Sequence, residues 1–302
     1  MARIRVALDW TFNTNHSGFI AAEAIGLYQT HGLNPEWITP DRDHYTLTPA
    51  KRLELGLADI ALCPTESVIS YRTKAKPFTI VAIAALLQED TSAIVTLQRD
   101  DIQRLRDLDG KTYASYKARC EDHIVRQMVI NDGGTGDLRI IYPARLGIWD
   151  TVLNGTADAT WVFENWESVE AEHKGVRLRS FKLRDYGIPY SYSPVFAVAR
   201  STLNEHADML RRFLKATKEG FLYAQSHPDE VVTWLMSRVP EHYRDATFLR
   251  RSQEFVSPYY GDDRTWGHMQ PERVEAFLEW LHTRKLEEKR LHAEEIATSA
   301  LL

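Results

Sequence analysis

The first apolar run of the chain ends in a carboxylate and an indole, Asp9-Trp10 within "VALDWTFNTNH". A second run, "ATWVF", breaks into Glu164, Asn165, Trp166 and Glu167, so that two tryptophans, a phenylalanine and two carboxylates fall within residues 161–167. A plain strand end needs neither set. Aromatic faces grip flat rings by area, and a carboxylate beside them selects rings that carry an N–H, through a charge-assisted hydrogen bond. Asp9 and Glu164 are therefore candidates to hold amino or ring N–H groups, and Trp10 and Trp161 to stack on a ring. A strand-end cap with a packing tryptophan is the alternative at Asp9-Trp10. His16 could bond a ligand or move a proton, since imidazole titrates near neutrality, or it could serve as a cap. Glu66 in "CPTES" either faces the ligand or caps the next helix. Ser115 and Tyr116 in "SYKAR" precede a helix start, where anions and rings find N–H donors. Tyr186, Tyr190 and Tyr192 in "DYGIPYSYSP" are site or hinge candidates, with Tyr190 the one placed against the ring.

These residues need elements that bring them together. Residues 4–8 read as a strand, "FIAAEAIGLYQTHG" as a helix closed by Gly32, and "LNPEWIT" as a strand. "TPAKRLELGLAD" reads as a helix capped by Thr48 with Pro49 in its first turn. "IALC" and "FTIVAIAALL" are strands. The pattern restarts with strand "KTYASY", helix "CEDHIVRQMVIND", turn "GGTG", strand "RIIYP", helix "IWDTVLNG" and strand "ADATWVF". "SPVFAVARSTL" returns to strand character. From about residue 203 the chain reads as helices, including one long segment from "PERVEAFLEWLHT" to the C-terminus. Alternating βα units predict mostly parallel sheets.

A repeat divides the chain. "GLADIALCPTES" and "GTADATWVFENWES" align Gly56 with Gly155, Ala58 with Ala157 and Asp59 with Asp158. Each is a helix end, a glycine, an Ala-Asp and a strand that spills into an acidic loop. The order of elements predicts an α/β protein of two equivalent lobes, each a mostly parallel sheet flanked by helices. The expected boundaries are 1–92 plus 195–302 for lobe 1, with the C-terminal helices, and 93–194 for lobe 2. Ligands of parallel sheets lie beyond the carboxyl ends of the strands, which puts the expected ligand cleft between the lobes and the candidate residues on its walls.

Composition narrows the classes. A chain of 302 residues with 44% hydrophobic residues fits two lobes, each with its own core. A formal net charge of −5 gives no basic footprint for nucleic acid. Cys63 and Cys120 form no CxxC pair, so neither a metal site nor a disulfide framework is expected, and their roles stay open. "GGTG" is no phosphate-binding fingerprint. "MARIRVALDW" has no secretory n- and h-region, and no apolar run reaches the length of a membrane span. The expected location is cytoplasmic, or periplasmic or extracellular if a signal has been removed.

"VALDWTFNTNHSGF", "TESVISYRT", "DGKTYASYKAR", "LGIWDTVLNGTADATWVFENWE" and "DYGIPYSYSPV" resemble the thiamine-pyrimidine precursor family. This family contains the formylaminopyrimidine-binding proteins and the hydroxymethylpyrimidine phosphate synthases. The likeness spans most of residues 3–225, with the DW and WVFEN stretches its most specific parts. It implies a two-lobed type II periplasmic-binding-protein-like fold, closing on a pyrimidine or pyridoxal-like ligand. The fungal-type synthases carry a lysine that holds pyridoxal phosphate as an aldimine, a histidine consumed as substrate, and a later cysteine-rich run. Here Cys63 stands at the lysine's place and Ser67 at the histidine's, and "PYSYSPVF" has no cysteine. The favoured expectation is a small-molecule binding protein of thiamine-pyrimidine metabolism, without a cofactor, that holds an aminopyrimidine or related aromatic heterocycle. A transporter or a second copy of the chain is its expected protein partner. The alternatives are a synthase-like enzyme with altered catalytic residues, for which alone pyridoxal phosphate would be relevant, a hydrolase of such heterocycles, and a sensor module.

Overall fold

The computed structural model describes residues 1–143 and 147–302. The chain forms two compact units, Met1–Asp90 with Ser191–Leu302, and Thr91–Tyr190. The boundaries read from sequence, 92/93 and 194/195, stand two and four residues further along the chain.

The first unit is built on β1 (Ala2–Ala7), β2 (Leu33–Ile38), β3 (Ile60–Cys63) and β4 (Ile80–Ala85), joined by β10 (Val195–Ala199). Their order is β2-β1-β3-β10-β4. β1 runs parallel to β2 and β3, and β10 runs antiparallel to β3 and β4. Every residue of β3, β4 and β10 is buried, as continuous apolar runs with both faces covered require. The covering helices are α1 (Ser17–Ala24), α2 (Leu27–Thr30), α3 (Pro49–Glu54), α4 (Thr65–Thr73), and the later set described below. The segment that reads as one helix, "FIAAEAIGLYQTHG", is two: Gly26 takes φ +76° between α1 and α2. The Thr48 cap is present, its hydroxyl accepting from the Lys51 amide at 3.2 Å.

The second unit holds β5 (Ser92–Leu97), β6 (Thr112–Ala114), β7 (Arg139–Ile141), β8 (Ala159–Phe163) and β9 (Leu178–Lys182) in the order β7-β6-β8-β5-β9. β6 is parallel to β7 and β8, and β5 is antiparallel to β8 and β9. Its helices are α5 (Glu121–Asn131) and α6 (Val169–His173). β5 and β9 have no counterpart among the elements expected from sequence. "IWDTVLNG" is a run of turns rather than a helix, held by Val152 and Leu153 amides donating to the Ile148 carbonyl.

The repeat corresponds to one local structure used twice. Gly56 and Gly155 both take positive φ, +67° and +77°. Asp59 accepts the Arg5 amide at 2.7 Å and its own amide donates to the Arg5 carbonyl at 2.9 Å. Asp158 does the same with Thr112, at 2.9 and 2.8 Å. Each aspartate also meets an arginine, Arg5 and Arg99 respectively. The Gly-x-Ala-Asp motif is thus a lock that starts β3 beside β1 and β8 beside β6.

The chain then completes the first unit with α7 (Arg200–Glu205), α8 (Ala207–Ser226), α9 (Pro228–Met236), α10 (Ala246–Val256), α11 (Pro271–Thr283) and α12 (Ala293–Ile296). α8 buries Leu210, Phe213, Leu214, Thr217, Gly220, Phe221 and Ala224, the i, i+3, i+4, i+7 stripe of a helix lying on a core. α10 lies in a stretch assigned no element from sequence. The long C-terminal helix expected from residue 271 ends at Thr283, where Arg284, then Lys285 at φ +57°, turn the chain away.

Candidate functional site

In the first unit the candidate residues gather at the carboxyl ends of β1 and β3. β1 pairs Ala7 with Ala61, so continuing the register sets Asp9 level with Cys63. Asp9 is partly exposed and Trp10 is 40% exposed, its ring tilted against Tyr45 at 5.3 Å. His16 ends a 3-10 turn, Thr14–His16, and is completely buried. Its ring stacks on Phe19 and meets the edge of Phe12, at 5.9 and 5.8 Å. The ring nitrogens are both engaged: Nδ1 accepts from the Asn13 amide at 3.2 Å, and Nε2 lies 2.8 Å from Asp9 Oδ1. His16, a ligand-binding candidate from sequence, is thus wholly buried, and its outward polar contact is to Asp9.

The turn that carries His16 is clamped by the C-terminal helices. Thr14 and Ser252 hydroxyls bond at 2.7 Å, Ser17 donates to Gln253 Oε1 at 2.5 Å, and Tyr260 donates to the Thr14 carbonyl at 2.6 Å. A 450 Å³ pocket opens beside it, lined by Thr11, Phe12, Trp37, Arg42, Arg238 and neighbouring residues. That volume is within the usual range for small-molecule pockets, and its walls mix two aromatic rings with two guanidinium groups. Arg238 lies 4.7 Å over the Phe12 ring and also bonds Glu23 at 3.3 Å. The sequence gives no sign of this grouping, because its members are separated by more than two hundred positions.

Glu66 lies in the first turn of α4, 8% exposed. The preceding residue fixes the loop, with the Thr65 amide and hydroxyl both donating to the Tyr192 carbonyl. Tyr192 itself is a packing residue, buried, with its hydroxyl accepting from the Gln270 amide and its ring under Arg273.

In the second unit, Ser115 and Tyr116 follow β6. Ser115 is buried and donates to Asp122 Oδ1 at 2.6 Å while accepting the Lys117 amide at 2.9 Å. The loop closes on Glu121, a residue absent from the sequence-derived candidates. Buried at the start of α5, it accepts from the Tyr113 hydroxyl at 2.8 Å and from the Tyr116 and Ala118 amides at 3.0 and 3.3 Å. Burial raises its carboxyl above the ordinary range. An acid at a helix start just after a polar loop is the signal that would have found it. Ser115 is therefore occupied within the loop, while Tyr116 keeps a partly exposed ring.

β8 delivers Trp161, 7% exposed, edge-on to Tyr190 at 5.7 Å. Past the strand the backbone takes a π-helical turn, Glu164–Ser168. Such turns are rare and recur at functional sites. Glu164 is nearly buried and its Oε2 lies 3.0 Å from Lys182 Nζ on β9. Lys182 carries no sequence signal because β9 itself carries none. Glu167 accepts the Phe163 amide at 3.0 Å, and burial pushes its carboxyl up to about 7. Trp166, expected from sequence in the ligand wall, is instead 3% exposed, and Asn165 is wholly buried, accepting from the Thr91 hydroxyl at 2.9 Å. Trp161, Glu164, Asn165 and Trp166 are thus all buried, with Trp161 and Glu164 the least so, at 7% and 9% exposed.

The position that the resemblance matches to the aldimine lysine does not fit pyridoxal phosphate. An aldimine needs an amine, and the corresponding position holds the buried Cys63, whose thiol burial and the nearby Asp9 charge push up to about 12. Lys74 is taken by Glu54 and by the Tyr71 ring, and Lys117 lies over Tyr142. Among the described residues no group of three or more His, Cys, Asp or Glu side chains is arranged to hold a metal.

Known proteins give this geometry a context. The chain is 24% identical over 239 residues to a protein named formylaminopyrimidine-binding protein from Halalkalibacterium halodurans, covering 79% of this chain and 71% of that one. It is 23% identical over 275 residues to a 4-amino-5-hydroxymethyl-2-methylpyrimidine phosphate synthase of Legionella pneumophila, covering 88% and 84%. The periplasmic aliphatic sulphonate binding protein SsuA of Escherichia coli superposes with a TM-score of 0.70 at 14% identity, over 98% of this chain and 97% of that one. The two sheets therefore form the two-lobed periplasmic-binding-protein fold. The sequence pattern of the family described as NMT1/THI5 like matches residues 13–231, more than half of the chain, and the protein belongs to that family.

Proposed function

We propose that the protein is a small-molecule binding protein of thiamine-pyrimidine metabolism whose ligand is an aminopyrimidine or a related aromatic heterocycle. The observation that carries this reading is a pairing of aromatic ring and carboxylate at a strand's carboxyl end in each unit: Trp10 with Asp9 just after β1, and Trp161 near the end of β8 with Glu164 just after it. That is where sheets of this kind take ligands. The names of the two relatives, one a binder and one a synthase of pyrimidines, support the ring class. Binding is favoured over synthesis because the thiol of Cys63 replaces the amine on which an aldimine would form. Glu66, Tyr116 and Tyr190 belong to the proposed contact set, and Ser115 supports it from behind.

The location proposed from sequence, the cytoplasm, is weighed against a fold shared with a periplasmic binding protein. No helix among the described residues is long and apolar enough to cross a membrane. If the protein meets its ligand outside the cytoplasm, a transporter is its natural partner, and fractionation of the source cell decides between the two.

Calorimetry with 4-amino-5-hydroxymethyl-2-methylpyrimidine tests the function. Trp10→Ala and Trp161→Ala should each weaken binding by more than about 1 kcal/mol, the scale of an aromatic contact. Unchanged affinity in both variants would make these tryptophans packing residues and overturn the reading.

A further inference from the structure

We propose that His16 is a positioning residue that holds the Asp9 carboxylate at one orientation, so that its free oxygen meets a ligand N–H donor and the first unit selects ligands offering one. The inference rests on the binding reading above and adds the residue that sets its selectivity.

Each step follows from the two hydrogen bonds of the ring. A backbone amide can only donate, so the Asn13 N–H at 3.2 Å requires a lone pair on His16 Nδ1. In the neutral ring the proton then sits on Nε2 and is donated to Asp9 Oδ1 at 2.8 Å. The other tautomer would place two donors face to face at Asn13 and leave two acceptors facing each other at Asp9. Turning the ring over would put Cδ2 and Cε1 where the two nitrogens stand and break both hydrogen bonds, so the ring is held in this orientation. Its imidazole is wholly shielded while the Asp9 side chain is a quarter exposed. One oxygen of Asp9 is thus held from within and the carboxylate is set at one orientation. Its outward face offers lone pairs and no proton. An amino substituent or ring N–H satisfies that face. A ring acceptor placed there would meet another acceptor and lose its bond to water without replacement.

Three proteins and two ligands test this. The ligands are 4-amino-5-hydroxymethyl-2-methylpyrimidine and the same ring without its amino group. Wild-type protein should prefer the amino compound by about 10- to 100-fold, the ratio expected for a hydrogen bond to a charged group. His16→Phe keeps a ring between Phe12 and Phe19 and removes both nitrogens. It should bring the preference to within about threefold of unity. His16→Gln places an amide N–H near the position of Nε2 and should restore most of the preference. A residue with a purely structural role would lower affinity for both ligands equally and leave the ratio untouched, so a preserved ratio in His16→Phe overturns the assignment. If His16→Phe does not fold, nitrogen NMR of the wild-type ring decides: the Nε2–H tautomer is required, and the Nδ1–H tautomer overturns it. Wild-type protein that binds neither compound overturns the functional reading and the ligand-selecting role together. Binding with discrimination that ignores His16 overturns the role of His16 alone.

Discussion

Glu164 shows how one neighbour changes what a carboxylate can do. A free acid at the end of β8 would give its full charge to a ligand N–H, but Lys182 already lies 3.0 Å away. Glu164→Gln should weaken aminopyrimidine binding by roughly 1.5–3 kcal/mol in calorimetry. Lys182→Met should instead tighten it, by up to about 1 kcal/mol, because a partly exposed pair is worth no more than that and the variant releases the carboxylate to the ligand. If Lys182→Met weakens binding as much as Glu164→Gln, Lys182 touches the ligand itself. Glu167, one turn on, carries a different signature. Its folded carboxyl titrates at about 7, above the ordinary 4.5. A raised value favours the protonated fold, so the contribution is complete below about pH 4.5, declines as the pH rises to about 7, and is gone above it. Glu167→Gln keeps the acceptor for the Phe163 amide and never ionises. Urea unfolding of the variant should lack that decline, which amounts to at most about 1.4 kcal/mol per pH unit in the wild type. Equal pH profiles would place Glu167 in contact with water.

At the scale of elements, the loop that carries Asp9 and His16 depends on how closely α1 meets α8. A Cβ at Gly18 would fall 2.2 Å from the Phe221 ring, and one at Gly220 would fall 2.2 Å from the Gly18 carbonyl. Neither contact can be relieved by turning the end of a flexible side chain. Gly220→Ala therefore pushes the helices apart, and because α1 begins where the His16 turn ends, it should lower thermal stability by several degrees and binding with it. At Gly56 the space around an added Cβ is open but φ is +67°, so Gly56→Ala should lose stability and leave affinity alone. Much of this layout is legible in the sequence. Thr48-Pro49 announces α3, and the Gly-x-Ala-Asp repeat announces β3 and β8, because caps and positive-φ glycines act within a few residues. The elements that escape such reading depend on distant partners. "SAIVTL" becomes β5 only because β8 and β9 lie on either side of it, and "RLRSFK" around β9 carries too much charge to read as a strand in isolation. The site divides in the same way: Asp9, Trp10, Trp161 and Glu164 are visible as motifs, whereas Lys182, Glu121, and the burial of His16 are products of packing.

Across the whole molecule, the two sheets are alike in plan but unlike in how the chain supplies them. The order β2-β1-β3-β10-β4 matches β7-β6-β8-β5-β9 strand for strand, with β10 and β5 as the antiparallel members next to last. In the second unit all five strands lie within Thr91–Tyr190. In the first, β10 enters between β3 and β4 only after the chain has built the second unit, and α8, α9 and α10 follow it to cover α1 and the His16 turn. The physical consequence is an asymmetry in autonomy. A fragment of residues 91–190 contains its full sheet and the apolar cluster of Ala93, Val95, Ile148, Val162 and Ala171. About a hundred residues is also the common size of an independent domain. A fragment of residues 1–90 lacks the strand that joins β3 to β4, so the sheet is split and the wholly buried apolar runs of β3 and β4 face water without the strand and helices that cover them. The 91–190 fragment should therefore show a single cooperative urea transition with native-like circular dichroism, and the 1–90 fragment should show none. Adding residues 191–302 as a separate chain should restore the transition to 1–90, since that chain brings β10 and the clamp of Ser252, Gln253 and Tyr260. A cooperative transition in 1–90 alone would mean that β10 is dispensable to the sheet, and would remove with it the idea that the C-terminal helices set the position of Asp9.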